Sequence, residues 1–433
     1  MLEIKLKKRP YKGLFLLPII LCSLLNGGGY FPIISSIEFY GNTKTMDFVI
    51  VREIQHSLNV PLDSIIAEAD RDRLDNLGIF SEVSWRVVPL EDDTGILSFI
   101  ITESIQKTPP GALPAYDEKT GWSLTGGWII QNFRGRNQTL QFGGSIGGQD
   151  TYGINFADPW MFGNHVSLSL GIGRSLFRHN FLDRELDVGS FQMTFGRWFG
   201  ESIKSSLGFE LEEKSFSNDN TVLDYYYFSP QVSINYDTRN VYWNPGKGIL
   251  VSHYFYFMNG IEPSDYSFLI WRQSYSLFFK LNQSEKKLVL ALNGTVKRKW
   301  GKKEEVWLNY FGDSYTVRGW ALPNQKLYNS EDESFRFGHE SAYASVELRK
   351  DIIPKYATKY GTEFGLSLVA FYDVGMIAKN WDDLQNMKPM AGTGFGIRIP
   401  IPMVDAIRID LGWGYRGGEW NSPTLHWGIQ QKF

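Results

Sequence analysis

The chain has 433 residues, with 44 Lys and Arg against 47 Asp and Glu and a formal net charge of −3, which supplies no electrostatic footprint for nucleic acid. A mean hydropathy of −0.24 excludes a polytopic helical membrane protein, but not a membrane β-barrel, whose polar lumen-facing residues dilute the average. The single cysteine, Cys22, excludes an intramolecular disulfide or a cysteine metal cluster, and the six histidines show no ligand spacing.

Lys5, Lys7, Lys8, Arg9 and Lys12 precede an apolar run from Leu14 to Leu25. That run is short for a bilayer span and reads as a secretory signal peptide, residues 1–29. Leu21 is too bulky for the small residue that lipidation of Cys22 would require.

Residues 33–103 follow a β-α-α-β-β pattern. Ile34 to Tyr40 is strand-like and Gly41-Asn42 is a turn. Thr45 is positioned to cap a helix over Met46 to Leu58, Pro61 breaks it, and a second helix runs from Asp63 to Leu77 with Gly78 closing it. Strands are expected over Val83–Val88 and Ile96–Thr102. The order IEFYGNTKT, VIVREI, DRLDNLGIFSEV and a strand ending in Glu103 resembles a POTRA domain. An exposed sheet edge of this kind can accept an extended client through main-chain hydrogen bonds. Pro109, Pro110 and Pro114 then mark residues 104–120 as a semi-stiff linker.

From Gly121 to Phe433 the chain alternates apolar and polar residues. In Thr362 to Gly375 the apolar set is Phe364, Leu366, Leu368, Ala370, Tyr372 and Val374, against Glu363, Ser367 and Asp373. In Ile407 to Tyr415 the apolar residues oppose Arg408 and Asp410. Alternation with aromatics near strand ends is the pattern of lipid outside and polar lumen inside. About sixteen such segments are counted, the first near 121–131, one near 305–310 and the last near 423–433. The expected fold is mainly β, a 16-stranded antiparallel transmembrane β-barrel over 121–433 preceded by one small α+β domain.

Asp158-Pro159-Trp160, Tyr236 to Gly248 (YDTRNVYWNPGKG), Val317-Arg318-Gly319-Trp320, Ser345 to Arg349 (SVELR), Phe371 to Gly375 (FYDVG) and a final Phe433 occur in order. Together they resemble the BamA/TamA-type outer-membrane assembly factors, which share a superfamily with the two-partner secretion translocators. The resemblance implies that the loop bearing Arg318 folds into the lumen and that the arginine pairs with Asp373, with Glu347 as a neighbouring candidate. It also implies a weak seam between the first and last strands, where Gly126, Gly127 and Gly428 remove packing. Trp427 and Phe433 are expected to belong to the assembly signal of the last strand. The implied partners are unfolded outer-membrane or secreted client proteins and outer-membrane lipids, with accessory lipoproteins or periplasmic subunits admitted, and no cofactor or metal.

Gly143-Gly144-Ser145-Ile146-Gly147 fits a nucleophile elbow and Gly412 to Gly417 fits a dinucleotide fingerprint, but neither leads into a helix. The reading is therefore non-enzymatic: insertion of proteins into the bacterial outer membrane by β-augmentation at an opening seam, with the N-terminal domain in the periplasm. The alternative is a pore exporting one dedicated client through the lumen. Assembly factors of this type carry several POTRA domains and the secretion translocators two, whereas this chain has room for one, which favours a specialised member.

Overall fold

The computed structural model describes residues 31–107, 111–117, 120–358, 360–401 and 405–433. The expected signal peptide and Cys22 lie outside the described residues.

The N-terminal domain is a three-stranded sheet with Thr94–Glu103 in the centre, parallel to Ile33–Tyr40 and antiparallel to Phe80–Pro89. Apolar residues from the strands (Leu97 and Phe99 at period two, Ile34 and Ile37 across a register irregularity) meet Val49, Ile50, Ala67 and Leu74 of the helices in one core. The second helix, Ser64–Asp75, is capped by Asp63, whose carboxylate accepts from Ile65 N and Ile66 N. The first is shorter than its sequence pattern, Asp47–Val51 instead of Met46 to Leu58. The buried Asp70 carboxylate accepts from the N–H groups of Gln55 and His56 and draws them out of the helical ladder. Thr45 is not the cap. Its hydroxyl donates to the Glu103 carboxylate, which also accepts from Thr43 Oγ1 and Lys44 N.

Sixteen strands of six residues or more, among the described residues, form the barrel. Each pairs antiparallel with its neighbour, from Gly111–Asp117 round to Thr424–Ile429, which stand side by side in the ring. The count matches the alternation, but two members differ. Residues 111–117, expected as linker, form the first wall strand and pair with Gly121–Gly127. Pro114 lies within this strand, beside Thr424–Ile429 in the ring, and has no N–H to give to a ladder. Residues 305–310 are not in the wall: Glu305–Trp307 is a 3₁₀ turn, and Asn309–Tyr310 pairs only with Phe337–Gly338.

The two faces of the wall divide as the alternation requires. In Glu363–Ala378, Leu368 and Tyr372 are exposed on the outside, whereas Phe371 and Asp373 are buried within. Between Leu288–Gly301 and Glu340–Ala357, residues 302–339 leave the wall altogether, although the two flanking strands pair directly.

Candidate functional site

The excursion over residues 302–339 is fastened to itself before it meets the wall. Arg336 donates from Nε to Phe311 O and from Nη2 to Ala321 O, and it is only 2% exposed. Asp313 accepts from Tyr315 N, Thr316 N and Thr316 Oγ1, which tightens the turn leading to Val317. Val317 is fully buried among Phe311, Ile377 and Met390. Trp320 donates from its indole to Ala391 O at 2.8 Å.

This framework delivers Arg318 to the lumen wall. Its Nε and Nη2 grip Asp373 bidentately at 2.8 and 3.0 Å, and its main-chain N–H adds a third bond to the same carboxylate. Nη1 reaches Glu347 at 2.7 Å and Asp410 at 3.0 Å. The guanidinium lies over the Phe371 ring, 3.6 Å from its centroid. Arg318, Glu347, Asp373 and Asp410 are all fully buried. A guanidinium satisfies this arrangement because its planar fork has donors in several directions at once, which an ammonium lacks.

Gly319 permits the close approach. Its φ is +89°, and a Cβ would stand 2.5 Å from the carbonyl carbon of Trp413. Its N–H donates to His426 Nε2 at 2.9 Å, so the last wall strand also touches the loop. Opposite, a Cβ on Gly392 would come within 1.7 Å of Arg318 O. The loop lies on bare backbone at these points.

The residues anticipated from the sequence, Val317, Arg318, Gly319, Trp320, Glu347, Phe371 and Asp373, thus converge on one locus. Five further members were not singled out. Asp410 joins Arg318 to Arg398, whose Nη1 is 2.6 Å from it. Arg349 pairs with Glu347 at 2.7 Å, Arg408 donates to Ser314 O, and Lys432 reaches Asp373 at 2.9 Å. For Arg408 and Asp410 the signal was present, since both stand on the polar side of the alternation of Ile407 to Tyr415. Which loop they face is a matter of barrel closure and was not legible.

A family profile described as the Omp85 superfamily domain matches residues 132–433, and one described as surface antigen variable number repeat, the POTRA type, matches residues 32–104. The chain belongs to the Omp85 superfamily. Membership places the barrel in the outer membrane. A curated relative, the outer membrane protein assembly factor BamA of Neisseria meningitidis serogroup B, is 25% identical over 141 residues, 32% of this chain and 18% of that protein. The chain therefore aligns with under a fifth of that relative's length. Among solved structures, BamA from Haemophilus ducreyi lacking POTRA domains 1–3 superposes with a TM-score of 0.55 at 18% identity, covering 92% of this chain and 83% of that one. CdiB from Escherichia coli gives 0.56 at 12% identity, covering 95% and 92%. These likenesses speak for the fold.

In this Omp85 barrel the ends of the sheet differ from expectation. Gly126 and Gly127 lie in the second wall strand, paired with Gly144 and Gly143 and with Ala112 and Gly111, one strand away from the seam. The seam itself is Gly111–Asp117 beside Thr424–Ile429. Trp427 faces outward, 42% exposed, and Gly428 is at the seam. Phe433 is not on the strand. The strand ends at Ile429; Gln430 still donates its N–H to Ala406 O but takes a positive φ of +64°, and the chain turns into the lumen, where Phe433 packs on Phe278.

Other motif residues join the POTRA domain to the barrel. Asn76 at the end of its second helix donates to Asn240 O at 2.9 Å and accepts from Tyr242 N at 2.8 Å. Arg52 covers the Trp160 ring at 4.4 Å. Asn132 donates to Thr45 Oγ1 at 2.8 Å. The DPW and YDTRNVYW segments are thus the barrel's half of this joint.

Proposed function

We propose that the protein inserts client β-strands into the outer membrane at the seam between its first and last wall strands, without enzymatic chemistry. The observation that carries this reading is the shortness of that seam. Gly111–Asp117 and Thr424–Ile429 have seven and six residues, whereas the other major wall strands have nine to eighteen. A short, partly proline-bearing ladder is the cheapest place to open, and opening exposes main-chain donors and acceptors to an incoming strand. The POTRA domain, held under the same barrel end, would lie in the periplasm and present its own sheet edge, Phe80–Pro89, to extended clients. Outer-membrane lipids and accessory periplasmic subunits are the further partners of this reading.

A second reading has its own support. The lumen-facing positions of residues 123–129, 139–145, 151–155, 167–175 and 190–196 are Ser, Thr, Gly, Asn and Gln with one isoleucine, Ile129, and no charge. Several, including Gln141, Asn155, Ser169 and Gln192, are exposed. Such a wall suits passage of an extended polypeptide through the lumen.

A disulfide between a cysteine in 114–117 and one in 425–428 separates the two. With the protein in vesicles and an unfolded outer-membrane barrel as client, insertion is expected to stop when the seam is locked and to return on reduction. Undiminished transfer with the seam locked would replace insertion by lumenal export.

A further inference from the structure

The segment that follows the last wall strand is built into the lumen lock. Lys432 Nζ donates to Asp373 Oδ2 at 2.9 Å, to Ser345 Oγ at 2.8 Å and to Thr316 O of the lumen loop. Its side chain is 1% exposed. Arg349 Nη2 donates to Phe433 O at 3.2 Å, and its guanidinium stands 4.9 Å from the Phe433 ring centroid. A buried ammonium is tolerated only when its donors find acceptors, and here they come from the loop and from two neighbouring wall strands.

The charge balance around it is uneven. Five cations (Arg318, Arg349, Arg398, Arg408 and Lys432) share three carboxylates (Glu347, Asp373 and Asp410) in the described ion-pair network. Lys432 and Arg318 hold the same Asp373 oxygen. Lys432 is therefore bound by local geometry in a region that already has more positive than negative charge. Of the five cations it alone stands outside the wall strands and the loop, on the short segment after Ile429.

We propose that residues 430–433 form an inner latch, with Lys432 as the positioning residue that couples the lumen loop to the seam. While Lys432 bridges Thr316 and Asp373, the end of the last strand is tethered inside the barrel and the loop stays seated. Withdrawal of Lys432 frees both, so the two openings occur together. The latch deepens the insertion reading, since it assigns a regulator to the seam.

The test needs no client and so is independent of whether insertion or export is the activity. In a Cys22→Ser background, Ser314→Cys reports on the loop, because Ser314 is 2% exposed, and the seam disulfide reports on the last strand. Lys432→Gln is expected to raise the rate of modification of the cysteine at 314 by a charged maleimide about tenfold, the effect of about 1.4 kcal/mol of local closure. It is also expected to lower the seam disulfide yield, and Lys432→Arg should restore most of both. Ser345→Ala, which removes one acceptor and keeps the ion pair, is the milder variant and must move both readouts in the same direction. Unchanged readouts would make the segment a bystander. A faster loop with an unaltered seam would show two independent devices and overturn the coupling.

Discussion

At Arg318 the decisive quantity is desolvation. The guanidinium and its three carboxylates are taken fully out of water, so the network is costly to form and more costly to break on one side. Arg318→Ala leaves Asp373, Glu347 and Asp410 in contact with fewer cations. We expect it to cost about 3–5 kcal/mol, read as a lower denaturant midpoint for the folded barrel. Arg318→Lys should recover less than half of that loss, because an ammonium cannot span the Asp373 fork and the Glu347–Asp410 side together; full recovery would mean that net charge alone matters. A second residue-scale prediction concerns Asp72 on the POTRA helix. Burial pushes its carboxyl up to about 6, against the partial relief given by Arg71. Because the folded-state pKa is raised, this group favours the folded state only below the unfolded value and weakens it as pH rises toward 6. Asp72→Asn should therefore slow hydrogen exchange in Ser64–Asp75 at pH 7, by on the order of 1–2 kcal/mol after allowance for its partial exposure. The gain should vanish near pH 4, and a gain that persists there would point to packing instead of ionisation.

At the scale of elements, the loop and the wall fit because the wall lacks side chains where the loop lies. A Cβ on Gly392 would overlap Arg318 O at 1.7 Å, whereas a Cβ on Gly294, in another strand of the same wall, meets nothing within 4 Å. Gly392→Ala is expected to unseat the loop and expose a cysteine at 314 to modification, with Gly294→Ala unaffected. Equal behaviour of the two variants would show that the loop adapts to the wall instead of resting on fixed backbone. The elements that resisted reading from sequence share one cause. Helix Asp47–Val51 ends early because Asp70, from the next helix, takes the N–H groups of residues 55 and 56. The strand Gly111–Asp117 resembles linker because Pro114 opposes strand propensity, and its pairing with Gly121–Gly127 overrides that preference. In both cases a long-range partner outweighs local preference.

Across the whole molecule, the POTRA domain and the barrel are linked through a few polar contacts, with Asn76 satisfying both a carbonyl and an N–H of the barrel loop. Asn76→Ala should leave the barrel folded, loosen the joint by about 1–3 kcal/mol for two lost hydrogen bonds, and raise exchange at residues 240–242 specifically. No change there would place the joint's strength in the Arg52–Trp160 stack and the Asn132 contact. The other end holds the lumen loop differently, by apolar packing: Phe181, Phe216, Val306 and Phe337 form one cluster that ties the loop to the hairpins of neighbouring strands. One barrel end thus depends on hydrogen bonds and the other on apolar burial.

The alternation in the sequence determined a barrel with a lipid face and a lumen face, and it placed Asp373, Glu347, Arg408 and Asp410 on the inner side, because a period of two assigns faces without any knowledge of neighbours. The order of motifs carried the resemblance that implied a POTRA domain before it and an arginine loop aimed inward. Tertiary structure alone decided which inward charges meet. Arg318, Glu347, Asp373, Asp410 and Lys432 come from distant parts of the chain and are brought together only when the sheet curls. It also decided that Phe433 turns inside, since the chain turns at the positive φ of Gln430 and Lys432 finds its acceptors across the lumen.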